Sequence, residues 1–155
     1  MRVLILGAGF GGLQLSARLS EELDDGVDVT LIDQADAFVF GYSKLDVMFG
    51  RTTAPAVRHA YADVVMPGVR FVQTTIRSID PVAKRVETDA GSFDADALVV
   101  ALGADLHPEA TPGLLAAGHE FYANESAFAL REVLRDFPGG RVIVGIHQDV
   151  TDLRR

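Results

Sequence analysis

The chain has 155 residues, a formal net charge of −8 and no cysteine. The acidic balance argues against binding to nucleic acid or anionic lipid, and the lack of cysteine excludes disulfides and thiolate metal sites within this sequence. Hydrophobic residues make up 48% of the chain, which is enough for a folded core. The sequence contains no run of about 18 apolar residues and no secretory signal, so we predict no transmembrane segment and a cytoplasmic location.

The first elements follow one another as strand, glycine-rich loop, helix and strand. The run over 2–6, which is apolar after Arg2, is typical of a buried parallel strand. Apolar residues at helical spacing follow over 10–23, and a second β-rich run covers 27–33. Together they have the length of one βαβ unit.

The middle of the chain is predicted to be mostly β. Residues 34–50 look irregular and aromatic, and 54–65 weakly helical. A β segment over 69–80 precedes a hairpin with its turn at 89–92, and an apolar strand follows over 97–102. Strands that alternate with helices favour a parallel α/β sheet.

The C-terminal part is predicted to contain an amphipathic helix over 126–137, with Ser126 as its N-cap, and a buried strand over 141–146. An apolar strand left at an edge would pair with another chain, so self-association or a complementing chain is expected. The whole pattern predicts an α/β fold, a Rossmann-like doubly wound parallel sheet with a small antiparallel β-meander insert.

Glycines after the first strand carry the main functional signal. Gly7, Gly9 and Gly12 stand at the spacing G-x-G-x-x-G, with Gly11 in addition, between a predicted strand and a predicted helix. In this motif the first glycine permits a tight turn, the second lets a pyrophosphate approach, and the third lets helix and strand pack closely. The helix N-terminus then attracts the phosphates. The motif therefore predicts a dinucleotide site.

Asp33 supports this interpretation because it ends the second strand, where a carboxylate accepts hydrogen bonds from ribose hydroxyls and disfavours a 2′-phosphate. The alternative is an ordinary turn in which Asp33 merely caps a strand. The spacing does not distinguish FAD from NAD.

Three stretches carry a family resemblance: LILGAGFGGLQLSARL (4–19), VTLIDQADAFVF (29–40) and DADALVVALGADLHPEATPGL (94–114). They resemble the N-terminal flavin-binding part of the FAD/NAD(P)-dependent, pyridine nucleotide-disulfide oxidoreductase-like superfamily. Three further stretches narrow the resemblance: FVFGYSKLDVMFGR (38–51), ALGAD (101–105) and GHEFYANESAFALREVL (118–134). They resemble sulfide:quinone oxidoreductase and flavocytochrome c sulfide dehydrogenase, with type II NADH dehydrogenases as close relatives. The resemblance covers 1–146.

The resemblance implies a set of FAD-binding residues. The glycine loop would hold the pyrophosphate, Asp33 the adenosine ribose with Gln34 beside it, and the backbone at 75–76 the adenine. Lys44 would approach the flavin ring. The implied cofactor-binding residues are Gly7, Gly9, Phe10, Gly11, Gly12, Asp33, Gln34, Lys44, Ile76, Ala101, Leu102, Gly103 and Ala104. Many relatives have threonine where Leu102 stands, so one polar contact is expected to be absent.

The implied activity is an FAD-dependent oxidoreduction. Electrons would pass from NAD(P)H or a reduced sulfur compound, through the flavin, to a quinone or cytochrome. No catalytic acid, base or nucleophile is identified. The four histidines are scattered without metal-ligand spacing, so no metal site is predicted.

The resemblance also bears on domain organisation. We expect 1–138 to form an incomplete FAD-binding domain, and 139–155 to be the start of a missing NAD-type domain plus an atypical tail. Quinone or NAD(P)H would then bind through the missing domains. Two alternatives remain open: a truncated or split fragment that binds a dinucleotide weakly and is inactive alone, and a stand-alone NAD-binding module. The aromatic residues at 38–49 either line a cofactor pocket or form a patch that another domain covers.

Overall fold

The computed structural model describes residues 1–23 and 26–146. The chain divides into two compact units. The first unit consists of Met1–Phe40 and Val57–Ala104, and the second of Gly41–Ala56 and the chain from Asp105 onward. The predicted βαβ unit over 2–33 and the predicted strand over 97–102 belong to the first unit, whereas Lys44 belongs to the second.

Nine strands and five helices are described, with 3-10 turns at Pro55–Val57 and Pro108–Ala110. In chain order they are β1 (Arg2–Leu6), α1 (Phe10–Leu23), β2 (Asp28–Asp33), β3 (Ala37–Val39), α2 (Ser43–Met48), β4 (Arg58–Ala60), α3 (Tyr61–Val64), β5 (Val69–Gln73), β6 (Ile76–Asp80), β7 (Arg85–Thr88), β8 (Gly91–Asp94), β9 (Ala97–Val100), α4 (Leu114–Ala117) and α5 (Asn124–Arg135).

A four-stranded parallel sheet lies at the centre of the first unit, in the order β5-β2-β1-β9. Alternate residues of β1 point to opposite faces of the sheet. Val3 and Ile5 are buried on one face with Val29 and Leu31 of β2, where Leu13, Leu15 and Leu19 of α1 pack against them. The predicted βαβ unit is therefore confirmed.

The other face of the parallel sheet is covered by strands. Leu4, Leu6 and Ile32 are buried there with Val86 of β7, and half-buried side chains of β6, β8 and β9 pack against them. Strands β6, β7 and β8 form an antiparallel sheet of their own. The Rossmann-like α/β fold with a small antiparallel insert is thus confirmed.

The second unit is mainly helical. Val47 and Met48 of α2 and Ala127 of α5 are its buried apolar residues among those described. The Arg131 guanidinium donates a hydrogen bond to the Thr52 carbonyl at 3.5 Å, which ties α5 to the turn after α2.

Two segments between β2 and β5 differ from their predictions. Residues 34–50, predicted to be irregular, contain β3 and α2. Residues 54–65, predicted to be weakly helical, contain a 3-10 turn, the strand β4 and a single α-helical turn, α3. The reason is a pairing that no local pattern encodes: β4 pairs antiparallel with β3, placing Phe38 opposite His59. The β segment predicted over 69–80 is divided into β5 and β6, which belong to different sheets.

The C-terminal helix starts two residues earlier than predicted, and Ser126 is not its N-cap. The N-cap is Ala123, which makes no side-chain capping hydrogen bond. The Glu120 carboxylate orders the segment just before the helix, because it accepts the Tyr122 N–H at 2.6 Å and the Ala123 N–H at 3.1 Å. Burial acts to raise the pKa of Glu120, but hydrogen bonds from Ser126 and from these two amides hold it below its ordinary value.

The strand predicted over 141–146 is not formed. These residues have neither helix nor strand structure, and Ile143 and Ile146 are 85% and 96% exposed. A strand requires a partner to satisfy its backbone groups, and no described strand pairs with this segment. The polar tail from 147 onward lies outside the described residues.

No helix in the described part of the chain has the length and apolar character needed to cross a bilayer.

Candidate functional site

The carboxyl ends of the parallel strands meet at one edge of the sheet, which is where α/β proteins bind their ligands. Leu6 lies opposite both Ile32 and Val100, and Asp33 lies opposite Gln73. The predicted site residues at this edge are Gly7, Gly9, Phe10, Gly11, Gly12, Asp33, Gln34, Ala101 and Leu102. The structure therefore brings together most of the residues that the sequence singled out.

The fold itself requires glycine at two positions of the loop. Gly7 has a φ of +98°, and a Cβ there would lie 2.4 Å from the Ala101 carbonyl oxygen. A Cβ on Gly12 would lie 1.8 Å from the Gly7 carbonyl oxygen. Both obstacles are backbone, so neither can move aside as a flexible side chain would. Gly7 and Gly12 thus let β1, α1 and β9 approach one another.

The other two glycines are not required by the chain. A Cβ on Gly9 would meet no atom within 4 Å in the described structure, its own neighbours aside. A Cβ on Gly11 would make an ordinary 3.8 Å contact with the Ala101 Cβ. Packing within the protein therefore does not explain why Gly9 and Gly11 are glycines, whereas the close approach of a ligand would explain it.

Two side chains hold the backbone at Ala8. The Asp33 carboxylate accepts the Ala8 N–H at 2.7 Å, and the Tyr61 hydroxyl donates to the Ala8 carbonyl at 2.9 Å. The second Asp33 oxygen accepts the Ala35 N–H at 2.8 Å. Each carboxylate oxygen can accept a further hydrogen bond, so Asp33 keeps capacity for a ribose hydroxyl while it orders the loop.

Tyr61 is buried beneath the loop, at 4% exposure. Burial, together with the negative charges of Asp33 and Asp36, raises the pKa of the Tyr61 hydroxyl to about 12. The hydroxyl therefore keeps its proton over the whole physiological range and acts as a donor to Ala8.

Replacing Asp33 with asparagine is expected to lower the free energy of unfolding by about 1–3 kcal/mol. An amide has one acceptor oxygen, so its NH2 group would face either the Ala8 N–H or the Ala35 N–H. Chemical denaturation followed by circular dichroism measures this loss. Asp80→Asn is the matched control, because one Asp80 oxygen accepts both N–H groups, of Val82 and Ala83, and an amide can do the same. An Asp33→Asn variant as stable as Asp80→Asn would contradict the assigned role.

The predicted adenine region has partners within the protein. The Gln34 carbonyl accepts a hydrogen bond from the Gln73 side chain at 3.2 Å. Ile76 begins β6 opposite Thr88 and packs into the core on the strand-covered face. The Thr75 carbonyl accepts the Asp89 N–H at 3.2 Å. Both predicted residues therefore lie in ordered backbone next to the end of β2 or at the start of β6.

The segment after β9 begins against the glycine loop. The Ala101 N–H donates to the Leu6 carbonyl at 2.7 Å, and the Ala101 carbonyl is the group that a Cβ on Gly7 would meet. Leu102 is 55% exposed, and Gly103 and Ala104 are exposed as well.

Phe10 begins α1 and contacts two other aromatic rings. It meets Phe38 at 5.1 Å and Phe40 at 5.5 Å between centroids, both in edge-to-face geometry. Tyr42 and Phe49, which the sequence grouped with them, belong to the second unit.

Lys44 also lies in the second unit, on α2. Its ammonium donates to the Tyr122 carbonyl and lies 4.7 Å from the centre of the Tyr122 ring. The described contacts of Lys44 are thus with the segment before α5, and its place beside a flavin stays a prediction.

Sequence reasoning missed Tyr61. It falls in a segment predicted to be weakly helical, and its partner Ala8 is 53 residues away. No local spacing connects the two, so only the folded chain reveals the contact. Among the described residues, no three His, Cys, Asp or Glu side chains are grouped as a metal site would require.

The loop fits the pyrophosphate of a dinucleotide. Open space adjoins Gly9, and the first N–H groups of a helix have no partner within the helix. The first turn of α1 consists of Phe10, Gly11, Gly12 and Leu13, which are all uncharged. The positive end of the helix dipole is therefore available to a negatively charged phosphate.

Comparisons with known proteins agree with this geometry. Type II NADH:quinone oxidoreductase from Staphylococcus saprophyticus is 38% identical over 111 residues, covering 66% of this chain and 26% of that protein. The protein of the same name from Staphylococcus aureus is 35% identical over 111 residues, which again cover 66% of this chain and 26% of that protein. The chain thus spans about a quarter of the length of the curated relatives it matches.

Solved structures share the fold. Sulfide:quinone oxidoreductase from Aquifex aeolicus superimposes with a TM-score of 0.75 and 23% identity, over 87% of this chain and 32% of that one. NDH2 from Plasmodium falciparum superimposes with a TM-score of 0.71 and 17% identity, over 84% of this chain and 28% of that one. Residues 1–145 match the family described as pyridine nucleotide-disulphide oxidoreductase. The superfamily predicted from the glycine loop and the β9 segment is confirmed: the chain belongs to the pyridine nucleotide-disulphide oxidoreductase family, a family of flavin-dependent oxidoreductases.

Proposed function

We propose that this chain binds FAD through its glycine loop and forms the flavin-binding part of an oxidoreductase that transfers electrons from NAD(P)H to a quinone. The observation that carries the proposal is that the fold requires only some of the glycines in the loop. Gly7 and Gly12 are needed by the fold, whereas Gly9 adjoins open space at a helix N-terminus. A phosphate is the group that such a position suits.

Each part of the site has a role in this proposal. The loop and the start of α1 hold the pyrophosphate, and Asp33 and Gln34 hold the adenosine ribose. The backbone at Ile76 faces the adenine, and residues 101–104 line the cofactor. Lys44 approaches the ring system. When bound, FAD supplies the redox chemistry, accepting two electrons from a reduced nicotinamide and passing them on.

The choice of NAD(P)H and quinone is supported by the relatives. The curated proteins that match are named for NADH and quinone, and a structural neighbour was solved with NADH. A reduced sulfur compound as donor is supported only by the likeness to a sulfide:quinone oxidoreductase, which is a likeness of fold at 23% identity. We therefore favour NAD(P)H. A cytoplasmic location stays a prediction from the sequence.

The domain boundaries also stay a proposal. We propose that residues 1–138 contribute the FAD-binding domain and that residues 139–155 lead towards an NAD-type domain. The exposed apolar residues of the 141–146 segment support this, because a neighbouring domain or chain would cover them.

The visible absorption spectrum of the purified chain tests FAD binding. The chain is incubated with FAD or with FMN, which lacks the second phosphate and the adenosine, and is then passed through a desalting column. We expect a flavin band to stay with the protein after FAD and to be lost after FMN. A protein that loses both would contradict the proposal and favour the weakly binding, inactive fragment. Oxidation of NADH with a soluble quinone then tests the electron transfer.

A further inference from the structure

Ala8 is fixed from two directions by side chains far apart in sequence. Its N–H is held by Asp33 at the end of β2, and its carbonyl by Tyr61 at the start of α3. These groups belong to successive peptide units on either side of the Ala8 Cα. These two hydrogen bonds therefore fix the orientation of the backbone just before Gly9 and its position relative to β2 and α3.

The bond from Tyr61 determines where the Gly9 N–H points. The Ala8 carbonyl and the Gly9 N–H belong to one planar peptide unit, and in a trans unit the two groups point in opposite directions. The described peptide bonds are all trans. Because Tyr61 holds the carbonyl toward the buried core cluster that contains Ala8 and Tyr61, the Gly9 N–H is turned away from that core.

Tyr61 is itself held in place. Its own N–H donates to the Asp36 carbonyl at 3.0 Å, and its ring packs on Phe71 of β5 with 4.7 Å between centroids. A buried, packed ring with a fixed hydroxyl holds its acceptor more rigidly than a mobile side chain would.

We propose that Tyr61 is a positioning residue for the dinucleotide: it holds the Ala8 carbonyl so that the Gly9 N–H is presented to a phosphate. This inference rests on the proposed function, since it concerns the same loop. It assigns a binding contribution to a side chain that does not itself touch the ligand, at a position that no glycine or acidic motif indicates.

Tyr61→Phe tests the proposal, because it removes the hydroxyl and keeps the ring that packs on Phe71. We expect the Kd for FAD to rise about three- to tenfold, the effect of losing one neutral hydrogen bond. Titration by flavin fluorescence at a temperature where both proteins are folded measures it. Tyr122→Phe is the matched control: Lys44 contacts the Tyr122 carbonyl and ring, which the change preserves, so its Kd is expected to equal that of the wild type.

A second readout separates positioning from general stabilisation. In the 1H–15N spectra of the unliganded proteins, the Gly9 and Phe10 amide signals are expected to shift in Tyr61→Phe, with distant signals unchanged. A lower thermal midpoint with an unchanged Kd would overturn the proposal and leave Tyr61 a packing residue. Failure of the wild-type chain to bind FAD would instead contradict the proposed function, and with it this role. If the wild type binds FAD and Tyr61→Phe binds it with equal affinity, only the role of Tyr61 is contradicted, and the proposed function is not.

Discussion

Replacing Gly12 with alanine is expected to lower the free energy of unfolding on the order of 4 kcal/mol, which is a large part of the stability of a typical domain. The added Cβ would lie 1.8 Å from the Gly7 carbonyl oxygen and 3.0 Å from its carbon. Both atoms belong to backbone that β1 and α1 fix, so the helix must shift away from the sheet. Helix propensity alone would favour alanine by about 1 kcal/mol, so the predicted sign depends on the contact with Gly7.

Gly11→Ala is the matched control, because it adds the same methyl group in the same helical turn. Its Cβ would make only a 3.8 Å contact with Ala101, so we expect unchanged or slightly higher stability. Urea denaturation followed by circular dichroism compares the two variants. If Gly12→Ala were as stable as Gly11→Ala, the close approach between β1 and α1 would not exist in solution.

Local spacing explains which parts of the site could be predicted from the sequence. The bounds of β1 and α1, the glycine motif and the position of Asp33 all depend on residues close together in the chain, where hydrophobic period and glycine placement are informative. The fold class followed from the same elements. The motif predicts a tight turn at Gly7 and close packing of helix and strand at Gly12. In the structure, a Cβ at either position would collide with backbone atoms.

Contacts between distant residues explain what the sequence could not supply. The Tyr61 hydroxyl reaches Ala8 across 53 residues, and the Asp33 carboxylate reaches it across 25. The sequence pattern favours a ligand-binding role for Asp33 over a strand cap, and it does not predict the hydrogen bond to Ala8, because a contact with a distant backbone group leaves no pattern in the chain.

Short elements were mispredicted for the same reason. Strands β3 and β4 have three residues each, and each is defined by its pairing with the other. The reverse error occurred at 141–146, where an apolar, β-branched pattern predicted a strand but the described chain provides no partner. A hydrophobic pattern indicates that a segment can be a strand, whereas hydrogen bonding to a neighbour decides whether it is one.

Replacing Gly9 with alanine is expected to leave the stability of the chain nearly unchanged and to weaken FAD binding on the order of 10- to 100-fold. Apart from its chain neighbours, no described atom lies within 4 Å of the added methyl group, so packing within the protein is not disturbed. If a pyrophosphate lies against Gly9, the methyl group must displace it, and an overpacked contact typically costs about 1–3 kcal/mol. Fluorescence titration with FAD measures the affinity, and thermal denaturation measures the stability.

Gly26→Ala is the control for this experiment. A Cβ on Gly26 would also meet no atom of the described residues within 4 Å, its chain neighbours aside, but Gly26 precedes β2 and therefore lies at the opposite edge of the sheet. Both variants add a methyl group in open space, at opposite edges of the sheet. A loss of affinity confined to Gly9→Ala therefore locates the ligand at the glycine loop. Equal FAD affinity in both variants, with the wild type binding FAD, would move the pyrophosphate away from Gly9. The motif glycine would then need another explanation, because the fold itself does not require it.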